Sequence, residues 1–142
     1  MEQNSILDDV RATTLARLPG IAAEIRPLAP AVVGARGESY TYGELYQKSR
    51  RLAKGLMALG IQKGSRIAIM IPNSPEHLIV KFAVQMAGAV AVNMNYHEKA
   101  PMMELLLKKS AVDLLFISPD IRQGETLQIV ESILPRLPQL SR

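Results

Sequence analysis

The two histidines, His77 and His97, stand 20 positions apart, with no carboxylate or second histidine at ligand spacing around either. No metal site is expected of them. The 142 residues include no cysteine, which removes disulfides, thiolate metal sites and a cysteine nucleophile from consideration. Ser74 lies between Asn73 and Pro75 rather than in a glycine-flanked elbow, so no serine, histidine and acid set presents itself. Glu76, Glu98, Glu104 and Asp113 read as surface or cap charges, since sequence spacing alone does not pair two of them for acid and base work. Gly60 is followed by IQKGSR and Gly88 by AVAVN, neither of which is a dinucleotide fingerprint or a P-loop. Lys63-Gly64 is explained as a turn. Met70, Met86, Met94, Met102 and Met103 could build a soft apolar wall, but their positions favour ordinary core filling. The catalytic, cofactor-binding and metal-ligating assignments are therefore all none.

What must position any ligand is an alternation of strand and helix patterns. Ile6 to Leu18 keeps an approximate helical period, which Pro19-Gly20 is expected to end, and Ile25 to Pro30 reads as an extended connector. Ala31 to Val33 and Ser39 to Tyr42, separated by Gly34 and Gly37, predict a small antiparallel hairpin. Thr41 with Glu44 three residues later is a capping-box spacing, opening a helix over about residues 43–59 that Gly60 stops. Arg66 to Ile71 contains IAIMI, an unalternating run typical of a strand covered on both faces. Ser74 and Pro75 then start a helix whose apolar stripe reads as Leu78, Ile79, Phe82, Ala83 and Met86, up to Gly88. Ala89 to Val92 is a strand, Pro101 to Lys109 a helix with Met103, Leu106 and Leu107 inward, and Leu114 to Ile117 a strand. Gly124 to Leu134 closes the series as a helix through Leu127, Val130, Ile133 and Leu134, and after Pro135 and Pro138 another strand is due.

This βαβαβα order predicts an α/β fold of three layers, αβα, with a mostly parallel sheet. Residues 1–30 form a leading helix and connector, and residues 31–142 a partial N-terminal α/β domain cut at a βα boundary. In such a sheet, ligands gather beyond the carboxyl ends of the strands. That nominates Pro72 to Pro75, Asn93 to His97, and Ser118 to Asp120. Asn73 and Ser74 could offer an anion the amides of a helix N-terminus, but a Ser-Pro helix start is the preferred reading. Asn93, Asn95, Tyr96 and His97 could face a ligand or simply serve a turn.

Composition narrows the class further. At this length a compact chain buries roughly two thirds of its unfolded surface. Hydrophobic residues make up 48% and charged residues 21%, a globular balance. The net charge of +4 is spread over helices rather than gathered beside aromatics, as Arg50, Arg51 and Lys54 show. Nucleic acid is not an expected partner. The opening MEQNSILDDVR has neither a basic nor an apolar signal region. The most apolar window, Leu78 to Val92, contains Lys81 and Gln85 and falls short of the roughly 20 residues of a membrane span. A cytoplasmic protein without a transmembrane segment is expected.

Several local runs occur together in one order: Thr41-Tyr42 with Glu44-Leu45, Leu59-Gly60 with Lys63-Gly64, Pro72-Asn73-Ser74 with Glu76, Ala87-Gly88-Ala89, and Asn93 with Asn95-Tyr96. Over about residues 30–140 the chain resembles the first part of the acyl- and aryl-CoA synthetases of the adenylate-forming superfamily. Asn95-Tyr96 looks more like the acyl-CoA synthetase branch. His97 stands where such sequences often carry arginine, and Glu98 to Met103 lacks the usual threonine at its helix start. The resemblance implies an incomplete N-terminal subdomain of the adenylate-forming fold. It also implies a two-step reaction in fatty acid metabolism: a carboxylate and ATP give an acyl-adenylate, from which coenzyme A displaces AMP. ATP, Mg²⁺ and CoA are implied for the full-length parent, and none for this segment. The family's serine-, threonine- and glycine-rich lysine loop, its adenylate motifs and its C-terminal lysine have no counterpart among these residues. The implied partner is the remainder of the synthetase fold or a self-associating copy. The alternative is a stand-alone module that pairs with a complementary chain through an open sheet edge.

Overall fold

A computed structural model describes residues 13–140. Helix α1 (Leu18–Ile25) leads into strands β1 (Pro30–Val33) and β2 (Ser39–Thr41), then α2 (Tyr42–Ala58) and β3 (Arg66–Met70). The series continues with α3 (Pro75–Met86), β4 (Val90–Asn93), α4 (Ala100–Lys109), β5 (Leu114–Ile117) and α5 (Glu125–Ile133). Short 3₁₀ turns occupy Ile121–Gly124, Leu134–Arg136 and Pro138–Leu140. β1 and β2 form an antiparallel ribbon, and β4, β3 and β5, in that order, form a parallel sheet. The predicted three-layer α/β fold with its small hairpin is present.

The centre of the molecule is β3. Ile67, Ala68, Ile69 and Met70 are all at most 1% exposed, because successive side chains point to opposite faces and both faces are covered. Ile67 and Ile69 pack with Ala53 and Leu56 of α2 and with Val80, Ala83 and Val84 of α3. Ala68 and Met70 pack with Met103 and Leu107 of α4 and with Val130 and Ile133 of α5. At the amino ends of the strands, Asp113 clamps β5 to β3: its amide donates to the Arg66 carbonyl at 2.8 Å, and its Oδ2 accepts from the Arg66 amide at 2.8 Å. The Gly64 amide donates to the Gly88 carbonyl at 2.9 Å, tying the turn before β3 to the turn before β4. Gly88 takes φ 75°, where a side chain would be strained.

Local signals set most boundaries. The capping box at α2 is complete: the Glu44 amide donates to Thr41 Oγ1 at 3.2 Å, and the Thr41 amide donates to Glu44 Oε2 at 2.9 Å. Gly60, at φ 88°, makes the left-handed stop.

Four expectations need correction. Pro19-Gly20 does not end a helix; it stands in the first turn of α1, where proline's missing amide hydrogen costs nothing. Residues 6–12 of the expected leading helix lie outside the described residues. The expected extended connector is instead a tight turn, in which the Ala29 amide donates to the Arg26 carbonyl at 3.2 Å. The face buried most deeply is Val80, Ala83 and Val84 of α3 with Ala87 at its C-cap, while Leu78, Ile79, Phe82 and Met86, elsewhere on the circumference, are half-buried. On α5 the buried positions are Thr126, Val130 and Ile133, and Leu127 is only half-buried.

Candidate functional site

β3 leads into α3 on one face of the sheet, while β4 and β5 lead into α4 and α5 on the other. Adjacent strands whose connections leave to opposite faces open a crevice at their carboxyl ends, the place where ligands bind in open α/β sheets. Between β3 and β5 the crevice is a cleft of about 470 Å³. It is walled by Pro72, Asn73 and Ser74 after β3 and by Ser118, Asp120 and Ile121 after β5, two of the three nominated loops. Arg36 and Glu38, from the turn of the β1–β2 hairpin, complete it. Sequence reasoning missed these two, since nothing in the spacing of a hairpin turn says which loop it will overhang.

The third loop is brought elsewhere. Met94 is buried with Met70 and Met103, and Tyr96 packs against the same cluster. The Tyr96 carbonyl accepts from Thr126 Oγ1 at 3.2 Å, fastening the loop to the start of α5. Asn95 serves the turn: its Oδ1 accepts from the His97 amide at 3.0 Å, and its Nδ2 donates to Glu98 Oε1 at 3.1 Å. The His97 ring leans on Tyr96 with centroids 4.6 Å apart.

At the α3 end of the cleft the donors are already used. Pro75 has no amide hydrogen, and the His77 amide donates to Ser74 Oγ at 3.3 Å. The Glu76 carboxyl is lowered from its ordinary value, first by its own backbone amide and then by the Ser74 and Tyr40 hydroxyls, with partial burial opposing them. Glu76 thus supplies the anion that this helix end favours. The Tyr40 hydroxyl reaches Glu76 Oε1 at 3.3 Å across 36 positions of sequence. Burial, followed by the charge of Glu76, raises the Tyr40 phenol. Lys48 Nζ sits 5.0 Å from the centre of the Tyr40 ring. Hairpin, α2 and α3 are joined at this corner.

His77 Nδ1 lies 2.9 Å from the Ile71 carbonyl, so the ring nitrogen donates there and braces the exit of β3. Charge in the cleft is one arginine, Arg36, against the carboxylates Glu38, Glu76 and Asp120. Among the described residues no three His, Cys, Asp or Glu side chains converge as a metal site would require. Beyond the cleft, Glu104 accepts from Lys108 Nζ at 2.6 Å and Arg136 Nε at 2.8 Å. Those two bonds, Lys108 first, lower its carboxyl. The methionines do not form one wall: Met70, Met94 and Met103 share a core cluster, Met86 flanks the other, and Met102 is exposed.

Comparison with known proteins points the same way. The profile of the family described as "AMP-binding enzyme" matches residues 21–141. The chain is 38% identical over 128 residues to YngI of Bacillus subtilis (strain 168), named provisionally as an acyl-CoA synthetase, covering 89% of this chain and 23% of that protein. It is 36% identical over 121 residues to the acyl-CoA ligase SID4 of Ajellomyces capsulatus, covering 82% and 20%. The chain therefore spans less than a quarter of the length of these relatives. Among solved structures it is similar to the N-terminal domain of FACL13 from Mycobacterium tuberculosis, with TM-score 0.81 and 25% identity, covering 91% of this chain and 33% of that one. It shares the fold of the anthranilate CoA ligase AuaEII, solved with anthranoyl-AMP, at TM-score 0.81 and 22% identity, covering 89% and 23%.

Proposed function

Because this chain belongs to the family of AMP-binding enzymes, we propose that it is the opening part of an ATP-dependent acyl-CoA ligase, working as scaffold rather than as catalyst. In the whole enzyme a carboxylate attacks the α-phosphorus of ATP, giving an acyl-adenylate and pyrophosphate, and the thiol of coenzyme A then displaces AMP. The observation that carries this reading is the similarity to acyl-CoA ligases at 36–38% identity over more than four fifths of the chain.

The residues present do not fit a triphosphate with its Mg²⁺. Phosphoryl transfer needs donors and cations preplaced around the transferring oxygens. The cleft instead sets three carboxylates against one arginine, and the α3 end is closed by Glu76 and Ser74. No catalytic, cofactor-binding or metal-ligating residue is assigned within the segment, and alone it forms no adenylate.

Its partner is the rest of the synthetase domain. β5 is an edge strand, and beside it a groove of about 340 Å³ runs between Leu115, Ile117, Leu127 and Leu140. An unpaired parallel edge is a template for a further strand. The same edge supports the second reading, a module pairing with a separate complementary chain. A cytoplasmic setting agrees with a sequence lacking cysteine. No described helix is long and apolar enough to cross a membrane.

The test is calorimetry of ATP with Mg²⁺ against the purified chain, monodisperse by light scattering. No saturable heat is expected at millimolar nucleotide. Saturable binding would overturn the scaffold reading and make Arg36, Asn73 and Ser118 the first residues to replace.

A further inference from the structure

We infer that the groove between α1 and α2 is a binding site for a small amphipathic anion, a phosphate or carboxylate head carrying a short apolar tail. The groove has a volume of about 330 Å³ and shares no residue with the cleft at the strand ends. That volume is at the small end of the range for ligand pockets, roughly 300–1,000 Å³. It suits a head group and a few methylenes rather than a nucleotide.

Three cations line the groove, Arg17 at the N-cap of α1 and Arg50 and Lys54 from α2, against one carboxylate, Glu24. None of the four takes part in an ion pair among the described residues. Arg50 and Lys54 are four positions apart on one helix, a spacing at which like charges repel and destabilise the helix. An anion between them and Arg17 would relieve that repulsion. Behind the charges the lining is apolar, with Ile21, Ala53, Met57 and Met86. Low-dielectric walls beneath a rim of net positive charge concentrate the field in the groove. Met57 is 50% exposed, an apolar side chain left open to solvent beside the cationic rim.

The groove is shaped by the motif that sequence reading took for a helix stop. Pro19 starts α1 and is buried, and Gly20 lets α1 approach the ring of Tyr46: a Cβ at Gly20 would come within 3.2 Å of Tyr46 Cε2. Gly20 and Tyr46 both line the groove. The turn chemistry of Pro19-Gly20 therefore brings Arg17 to the side of Arg50 and Lys54.

The probes are octyl phosphate, kept below its micelle concentration, with inorganic phosphate and octanol as single-feature controls, followed by amide chemical shifts on ¹⁵N-labelled chain. Saturable shifts at Arg17, Gly20, Tyr46 and Lys54 are expected, with affinity at least tenfold above either control. Arg50→Gln with Lys54→Gln should lower the affinity at least tenfold, and Met57→Asn several-fold; all three positions are exposed, and circular dichroism verifies the folds. Ser118→Ala, in the other cleft, should leave the affinity unchanged. Co-sedimentation with phosphatidylglycerol vesicles separates the sources: binding to vesicles with none to soluble octyl phosphate would overturn the proposal. So would equal binding of octanol, or affinity indifferent to Arg50 and Lys54. Because the probe contains no nucleotide and the variants lie outside the strand-end cleft, this outcome is independent of the ATP test.

Discussion

Replacing two adjacent residues of β3 tests the placement of the whole sheet. Ile69 faces the layer of α2 and α3, and Met70 faces α4 and α5; their exposures are 1% and 0%. Ile69→Ala removes three buried carbons, about 2.4 kcal/mol at ~0.8 kcal/mol each. A residual void of about 50 Å³ would add roughly 1.2 kcal/mol at ~24 cal/mol per Å³. The expected cost is therefore about 2.4–3.6 kcal/mol, depending on how far the void collapses. Met70→Ala also loses three heavy atoms from a filled core, and about 2–3 kcal/mol is expected. In urea denaturation, a domain of this size with a slope near ~2 kcal/mol per molar should shift its midpoint by roughly 1–1.8 M for either variant. An ordinary half-buried strand gives a different pattern, one large effect and one within about 0.5 kcal/mol of zero. If either substitution costs under about 1 kcal/mol with the slope unchanged, the two-sided burial of β3 is wrong.

Other consequences are separable. Thr41→Ala removes the N-cap of α2 and should cost about 1 kcal/mol, read as a melting-temperature drop of roughly 3–5 °C, while Thr41→Ser should be close to neutral. Ala111, just past α4, holds φ 46° and is exposed. Ala111→Gly removes about 1–2 kcal/mol of left-handed strain and adds about 0.4–1 kcal/mol of unfolded-state entropy, so a net gain near ~0.5 kcal/mol is expected in the same denaturation assay. Glu104 has its carboxyl lowered by Lys108 and then Arg136. Its contribution is complete above the ordinary carboxylate range and is lost as pH falls through the lowered value. The stability gap between the parent chain and Glu104→Gln should therefore narrow on acidification, and a gap constant from pH 7 to pH 3 would remove the ion pairs from consideration. Tyr40 is raised by burial and by Glu76, so one phenol should ionise late in a titration followed at 295 nm, and Tyr40→Phe should abolish that step.

What the sequence disclosed was governed by short-range chemistry. Thr41 with Glu44 and Ser74 with Pro75 each satisfy specific orphan amides, so helix starts could be read from types and spacing alone. The IAIMI run was legible as a covered strand because alternation is lost only when both faces are buried. Pro19 was misread because proline is equally at home just inside a helix start and just past a helix end, and only the residues after it decide between the two. The α3 stripe failed for a related reason: beyond Glu76 in the first turn, only the narrow line of His77, Lys81 and Gln85 is polar and the rest of the circumference is apolar, so periodicity does not say which apolar face is buried deepest.

The cleft was half legible. Parallel topology nominates the loops after β3 and β5 without any knowledge of the side chains. It does not reveal that the hairpin folds over them, nor that Tyr40 reaches Glu76 from 36 positions away. That contact also decides the chemistry. A helix N-terminus facing a cleft is by default an anion site, but here the protein's own carboxylate stands at it, held by the Tyr40 hydroxyl at 3.3 Å. Opening the end to a phosphate would mean displacing a group that also joins the hairpin to α3. Under the proposed scaffold role, nucleotide phosphates would be held by residues from outside the segment. In that role the segment fixes the sheet, and its most sensitive positions should then be Ile69 and Met70, each at most 1% exposed, rather than any polar side chain of the cleft.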